Sequence, residues 1–103
     1  MVRGDVHAVQ RGRGRVQQGR RYAVVVQADD LLTLSTVVIC PTSTSAPSAS
    51  FHPEIELGTE RTQVLCEMVG AVDGRNLGAQ VGHLSHDELR AVDDALSLVL
   101  EIG

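Results

Sequence analysis

The sequence predicts a mainly β (α+β) fold in which one C-terminal amphipathic helix packs against an antiparallel sheet. Two observations predict this fold: several short stretches rich in β-branched residues, and a helix-start signal followed by apolar residues at helical spacing. The length of 103 residues and a hydrophobic content of 43% indicate one domain spanning residues 1–103. A domain of this size buries only about two-thirds of the surface that its unfolded chain exposes, so pairing with a second copy would add stability.

The strands are predicted in chain order. Residues 2–10 alternate partially between apolar and polar side chains and form a candidate first strand. Three stretches dominated by β-branched residues are predicted as strands: 22–27, 36–40 and 63–69. The fifteen valines of the chain favour the same interpretation, because a branched side chain packs better on a pleated sheet than along a helix. Residues 54–57 alternate cleanly, which predicts one face in water, and residues 81–84 form one more candidate strand.

The helix prediction depends on residues 85–100. Ser85 and Glu88 have the spacing of a capping box, with Ser85 as the N-cap, and Leu84 and Leu89 occupy the staple positions. Apolar residues then recur at helical spacing: Leu89, Val92, Leu96, Val99 and Leu100. This pattern predicts an amphipathic helix of about 16 residues.

Two loops have compositions suited to binding or catalysis. Residues 11–20 contain three glycines and four arginines without an apolar rhythm, which predicts a mobile, positively charged loop that can follow a phosphate backbone. Residues 1–27 hold six arginines and one acid, against three arginines and twelve acids in residues 28–103, so the positive charge is concentrated near this loop. Residues 41–50 are rich in hydroxyl groups and are predicted to form a loop directly after a buried strand.

Several classes of protein are disfavoured. Cys40 and Cys66 sit in apolar runs, match neither a zinc nor a redox motif, and are expected to be small buried thiols in a reducing cytoplasm, although one bridge between them is conceivable. We expect no metal site, no cofactor and no membrane span. The sequence also lacks a nucleophile elbow, a P-loop and a dinucleotide fingerprint. RNA cleavage needs none of these, because the 2′-hydroxyl of RNA is itself a nucleophile and the protein need only position the strand and stabilise charge.

Five segments occur in an order shared with a known family. They are Arg3-Gly-Asp-Val6, the Gly-rich loop with Gln17 and Gln18, Gly19-Arg-Arg-Tyr-Ala-Val-Val-Val-Gln27, Val37-Val-Ile-Cys-Pro-Thr-Ser-Thr44, and the run from Val81-Gly-His-Leu-Ser85 into the helix. Through them the chain resembles the MazF/PemK family of toxin endoribonucleases, nearly end to end.

This resemblance implies a small SH3-like barrel of the CcdB/Kid/MazF type that forms a homodimer. It implies cleavage of single-stranded RNA at short sequences without a metal, with mRNA as the target and tRNA or rRNA as further candidates. It also implies a cognate antitoxin whose acidic, flexible segment occupies the RNA groove.

The resemblance also assigns roles to individual residues. Arg21 takes the position of the catalytic arginine, and the catalytic hydroxyl falls on Ser43, although a shift of one residue would select Thr42 or Thr44 instead. RNA binding is expected from a set of polar and aromatic residues in or near the basic loop: His7, Arg11, Arg13, Arg15, Gln17, Gln18, Arg20 and Tyr22. Two of these have alternatives. Tyr22 replaces the usual proline and either stacks on a base or, more commonly for such a position, is a half-buried strand residue. His7 either faces the groove or, more commonly, lies on the strand surface.

Departures from the family pattern keep alternatives open. Where the family frequently shows a polar amide and a cation, this chain has Glu67-Met68-Val69-Gly70. This change favours a non-catalytic barrel of the same fold that binds a protein target or titrates antitoxin. A small RNA-binding barrel that never cuts is a third hypothesis, which rests on the basic loop alone.

Overall fold

The computed structural model describes residues 1–10 and 21–103. Within these ranges the chain forms seven strands and one helix: β1 (Asp5–Val9), β2 (Tyr22–Val25), β3 (Thr36–Ser43), β4 (Glu54–Leu57), β5 (Glu60–Val64), β6 (Gly70–Asp73), β7 (Leu77–His83) and α1 (His86–Leu100). Short 3₁₀ turns lie at Asp29–Leu31, Cys66–Met68 and Gly74–Asn76. The predicted mainly β fold with a C-terminal helix is confirmed.

Strand β3 organises the antiparallel sheet, whose order is β4-β5-β3-β2-β1-β7 with β6 also paired to β3. One edge of β3 pairs with β2. The other edge pairs with β6 over residues 36–39 and with β5 at residues 42–43. Both strands run antiparallel to β3 in the same direction, and between them residues 65–69 lie against only residues 40–41 of β3. The 3₁₀ turn Cys66–Met68 accommodates these extra residues, with the Met68 amide donating to the Leu65 carbonyl at 3.0 Å.

The strand prediction for residues 63–69 is wrong beyond Val64, where β5 ends. The rest of this run contains the 3₁₀ turn, in which Cys66 is buried and Glu67 and Met68 are exposed. The loop prediction for residues 41–50 is wrong at its start, because β3 continues through Ser43 and pairs there with β5.

Strand β6 was not predicted, and β7 begins at Leu77 rather than at residue 81. Most of their side chains are small or polar, so cross-strand pairing contributes more than residue type to placing them in the sheet.

Strand β2 ends at Val25, two residues before the predicted boundary at Gln27. Beyond this end, the Gln27 side chain forms hydrogen bonds with neighbouring backbone groups. The Gln27 amide nitrogen donates to the carbonyls of Leu31 (2.8 Å) and Thr36 (3.2 Å). The Gln27 amide oxygen accepts from the Val38 N–H at 2.9 Å. A buried polar side chain with every contact satisfied is a stable substitute for a strand ladder.

The predicted helix is confirmed with its cap. The Ser85 hydroxyl accepts from the Glu88 N–H at 3.1 Å, and the Glu88 carboxylate accepts from the Ser85 N–H at 2.9 Å. The apolar stripe of α1 packs on the sheet in one cluster of buried residues: Val6, Val24, Val26, Cys40, Ile55, Val64, Cys66, Leu84, Val92, Ala95 and Leu96. A second cluster of Ala23, Val25, Val37 and Ile39 lies on the opposite face of β2 and β3. Both faces of these two strands are therefore buried, which fixes their ends rigidly.

Both cysteines are buried, as predicted, and both are free thiols. Of the helices in residues 1–10 and 21–103, none has the length and apolar character needed to cross a membrane.

Candidate active site

Arg21 and the hydroxyl-bearing end of β3 share one cleft. The cleft has a volume of about 370 Å³ and is lined by Arg21, Pro41, Thr42, Ser43, Thr44, Ser45, Leu65 and Met68. The strand register explains the proximity. Ala23 pairs with Pro41 in the antiparallel β2–β3 ladder, so the next positions outward place Tyr22 opposite Thr42 and Arg21 opposite Ser43. The guanidinium and the three candidate hydroxyls therefore lie at the same end of the sheet.

The three hydroxyls differ in what they bond. Thr42 donates its proton to the Tyr22 carbonyl at 3.1 Å, which ties the side chain to β2. Ser43 accepts the backbone N–H groups of Ser45 at 3.1 Å and Ala46 at 3.0 Å, and its oxygen lies 3.4 Å from the Ser45 hydroxyl. Thr44 is exposed. Two N–H bonds into the Ser43 oxygen polarise its O–H bond and make it the best hydrogen-bond donor of the three.

A smaller depression of about 110 Å³ adjoins the cleft and shares Arg21, Pro41 and Thr42 with it. Its other lining residues are apolar or aromatic: Val9, Tyr22, Ala23, Ile39, Val72 and Leu77. Tyr22 is half-buried and also packs against the core cluster beneath α1. Arg21 therefore lines both the hydroxyl-rich cleft and the apolar depression.

His7 does not have the surroundings expected for it. It is 8% exposed, and its Nδ1 donates to the Gly78 carbonyl at 2.9 Å, so the prediction of a surface strand histidine is wrong. The reason is the β1–β7 ladder, which places residues 77–80 directly alongside β1. His7 is also absent from the lining of the cleft and of the smaller depression.

The remaining predicted RNA-binding residues belong to the basic loop. Arg11, Arg13, Arg15, Gln17, Gln18 and Arg20 lie outside the described residues, and their roles stay predictions.

The structure adds residues that the sequence did not single out. Ser45 and Leu65 line the cleft, together with Met68, which the sequence marked only as a departure from the family pattern. A buried histidine, His52, lies at the far end of the loop that follows β3. His52 Nδ1 is 2.7 Å from the Pro47 carbonyl, and Nε2 is 3.0 Å from both carboxylate oxygens of Glu67. No spacing signal in the sequence links residue 52 to residue 67, because their contact depends on where the turn Cys66–Met68 places Glu67.

These contacts shift the pKa values of His52 and Glu67 so that both side chains are charged over a wider pH range. The hydrogen bond to the Pro47 carbonyl and then that to Glu67 raise the pKa of His52, against the opposing effect of burial. The hydrogen bond from His52 lowers the pKa of Glu67. At any pH between the pKa of Glu67 and the pKa of His52, His52 is an imidazolium and Glu67 is a carboxylate.

Comparison with known proteins gives consistent matches over the whole chain. Residues 2–100 match the family model described as "PemK-like, MazF-like toxin of type II toxin-antitoxin system". A curated relative from Mycobacterium tuberculosis (strain ATCC 25618 / H37Rv), named "Putative toxin Rv3098A/RVBD_3098A", is 36% identical over 104 residues, covering 97% of each chain.

Two solved structures are similar in fold. The MazE–MazF structure of Deinococcus radiodurans in crystal form III has a TM-score of 0.82 at 20% identity and covers 100% of this chain and 98% of its own. An endoribonuclease in complex with its cognate antitoxin, from a mycobacterial species, has a TM-score of 0.81 at 15% identity and covers 100% and 97%.

Proposed function

This chain belongs to the family of PemK-like, MazF-like toxins of type II toxin–antitoxin systems, and on that premise we propose that it is an endoribonuclease that cuts single-stranded RNA at short specific sequences without a metal ion. The observation that supports this proposal most directly is the shared cleft, which Arg21 lines together with the serine and threonine residues at the end of the β2–β3 ladder. Together these groups can hold one phosphodiester between them.

The proposed reaction is an internal transesterification. The 2′-oxygen attacks the adjacent phosphorus and loses its proton to solvent, while the bond from phosphorus to the 5′-oxygen breaks and that oxygen takes a proton from solvent. The products carry a 2′,3′-cyclic phosphate and a 5′-hydroxyl. Arg21 stabilises the charge that develops on the phosphate oxygens, and the Ser43 hydroxyl donates a further hydrogen bond to the same group. The apolar depression beside Arg21 offers a surface for a base next to the bound phosphate.

The proposal includes two partners besides RNA. A second copy of the chain forms a homodimer, consistent with a small core and with exposed apolar residues such as Val81 and Leu100. A cognate antitoxin neutralises the toxin by placing an acidic segment over the cleft and the basic loop. Solved relatives that carry an antitoxin support this part.

Cleavage in a chelator tests the activity. Purified protein incubated with a mixed RNA in excess EDTA is expected to produce fragments ending in 2′,3′-cyclic phosphate, since no proposed step uses a metal ion. End-group analysis of the fragments checks the chemistry, with a parallel preparation of Arg21→Ala as the control for contaminating nucleases. Intact RNA at a large excess of folded protein would contradict the proposal.

A set of hydroxyl variants tests the choice of donor. Ser43→Ala is expected to lower kcat about 100-fold, the scale of losing one donor to developing charge. Thr42→Val is expected to lower kcat less, because the Thr42 proton is already donated to Tyr22, and Thr44→Val is expected to be close to wild type. Single-turnover cleavage rates measure the three effects. A Thr44→Val variant as impaired as Ser43→Ala would reassign the donor.

A further inference from the structure

One buried side chain connects the two walls of the cleft. The first wall, here called the hydroxyl wall, is the Thr42–Ser45 segment, and the second, the turn wall, is the Leu65–Met68 segment. His52 Nδ1 binds the carbonyl of Pro47, two residues beyond the hydroxyl wall, and Nε2 binds Glu67, which lies within the turn wall. His52 is 8% exposed, so both contacts are shielded from water on the histidine side.

The geometry fixes the protonation of the ring. A backbone carbonyl can only accept, so Nδ1 must carry a proton to bind Pro47 at 2.7 Å. An ionised carboxylate can also only accept, so Nε2 must carry a proton to lie 3.0 Å from both Glu67 oxygens. Both ring nitrogens therefore donate at once, and only the imidazolium form makes both contacts.

The surroundings of His52 hold few other ionisable groups. Glu67 and the Cys66 thiol, both from the 3₁₀ turn, are the titratable groups that act on it in the described part of the chain. The ring of Phe51 packs edge-on, with centroids 4.7 Å apart and an interplanar angle of 73°. The Glu67 side chain is 40% exposed, whereas the His52 side chain is 6% exposed.

The hydroxyl wall depends on the segment that His52 holds. The N–H groups of Ser45 and Ala46 point at the Ser43 oxygen, and Ala46 directly precedes Pro47. Loss of the His52–Pro47 bond would free the residues that orient Ser43. Loss of the His52–Glu67 bond would free the turn that carries Leu65 and Met68.

We infer that the His52 imidazolium is a positioning residue for RNA cleavage, which fixes the spacing of the hydroxyl wall and the turn wall through Pro47 and Glu67. This inference rests on the proposed function. His52 contacts neither Arg21 nor Ser43, and it affects the reaction by fixing the orientation of the Ser43 hydroxyl.

The pH dependence follows from the two ionisations. The pKa of His52 is raised above its ordinary value of about 6.5, so the imidazolium that contacts both Pro47 and Glu67 is lost as the pH rises through the raised pKa. The pKa of Glu67 is lowered, so its charged contact with His52 is lost only as the pH falls through that lowered pKa. Cleavage is therefore expected to lose its His52-dependent component on the alkaline side.

Three variants separate positioning from a merely structural role. His52→Gln is expected to lower kcat roughly 10- to 100-fold with little change in KM, the scale of a small misplacement of a reacting group. Glu67→Gln keeps the shape of the side chain but removes the charge that supports the imidazolium, so the alkaline loss of cleavage should move to lower pH. His86→Gln, at the exposed start of α1, is the matched control and should keep the wild-type kcat and pH profile.

A second measurement does not need cleavage. The amide resonances of Ser45 and Ala46 are expected to shift with pH at the titration midpoint of the His52 ring, to follow that midpoint to lower pH in Glu67→Gln, and to lose this titration in His52→Gln. If His52→Gln fails to fold, the Glu67→Gln midpoint still decides. Active protein whose pH profile and Ser45 and Ala46 amides ignore both variants would overturn the inference. Amides that follow His52 in a protein without nuclease activity would instead refute the proposed function.

Discussion

Arg21→Ala is expected to reduce RNA cleavage by at least about 1000-fold while the protein stays folded. Removal of one donor to developing charge costs about 100- to 1000-fold in kcat. Arg21 is the cation that lines both the cleft and the adjoining depression, so its loss also weakens phosphate binding. Arg21 is exposed and precedes β2, and its backbone carbonyl, which accepts from Val9 at 2.9 Å, is kept in the alanine variant. The melting temperature should therefore change little.

Arg61→Ala is the matched control for Arg21→Ala. Arg61 is an exposed arginine on β5 that pairs with Glu54 at 3.4 Å and does not line the cleft. Its loss should leave cleavage near the wild-type rate. A large fall in melting temperature for Arg21→Ala would show that Arg21 is structural. Growth arrest that persists in the folded, inactive Arg21→Ala variant would favour the alternative of a toxin that acts by binding a protein.

Ile55→Ala is expected to have the largest effect on stability. Ile55 is 1% exposed and lies in the core cluster between the sheet and α1, which includes Val92 and Leu96. Truncation of a buried isoleucine costs about 2–5 kcal/mol, a large part of the roughly 5–15 kcal/mol that holds a small domain folded. Thermal or urea unfolding measures the loss, at matched protein concentration because association adds apparent stability.

Two further variants calibrate the Ile55→Ala result. Ile55→Val removes one methyl group and should cost about 0.5–1.5 kcal/mol. Leu98→Ala removes a side chain from an exposed position of α1, 56% exposed, and should change the free energy of unfolding by less than about 0.5 kcal/mol. Equal losses for Ile55→Ala and Leu98→Ala would contradict the assignment of Ile55 to the core. A loss for Leu98→Ala that grows on dilution would instead place Leu98 in the homodimer contact.

Local signals predicted the elements whose residue types suffice for them. The valine-rich cores of β2 and β3 and the capped, amphipathic α1 were predicted because propensity, periodicity and capping act within a few residues. The candidate pairing of Arg21 with hydroxyls at 42–44 came from the family resemblance, and the β2–β3 register supplies a physical reason for their proximity.

The sequence by itself determined the fold class, the helix and the family of this protein, because short-range patterns and the order of segments along the chain are sufficient to identify each of them. The tertiary structure alone decided the break at Cys66–Met68, the burial of His7 beside residues 77–80, and the meeting of His52 with Glu67. These features depend on which distant strands pair. One edge of β3 pairs with β5 at residues 42–43 and with β6 at residues 36–39, and the turn between these two strands places Glu67 3.0 Å from His52.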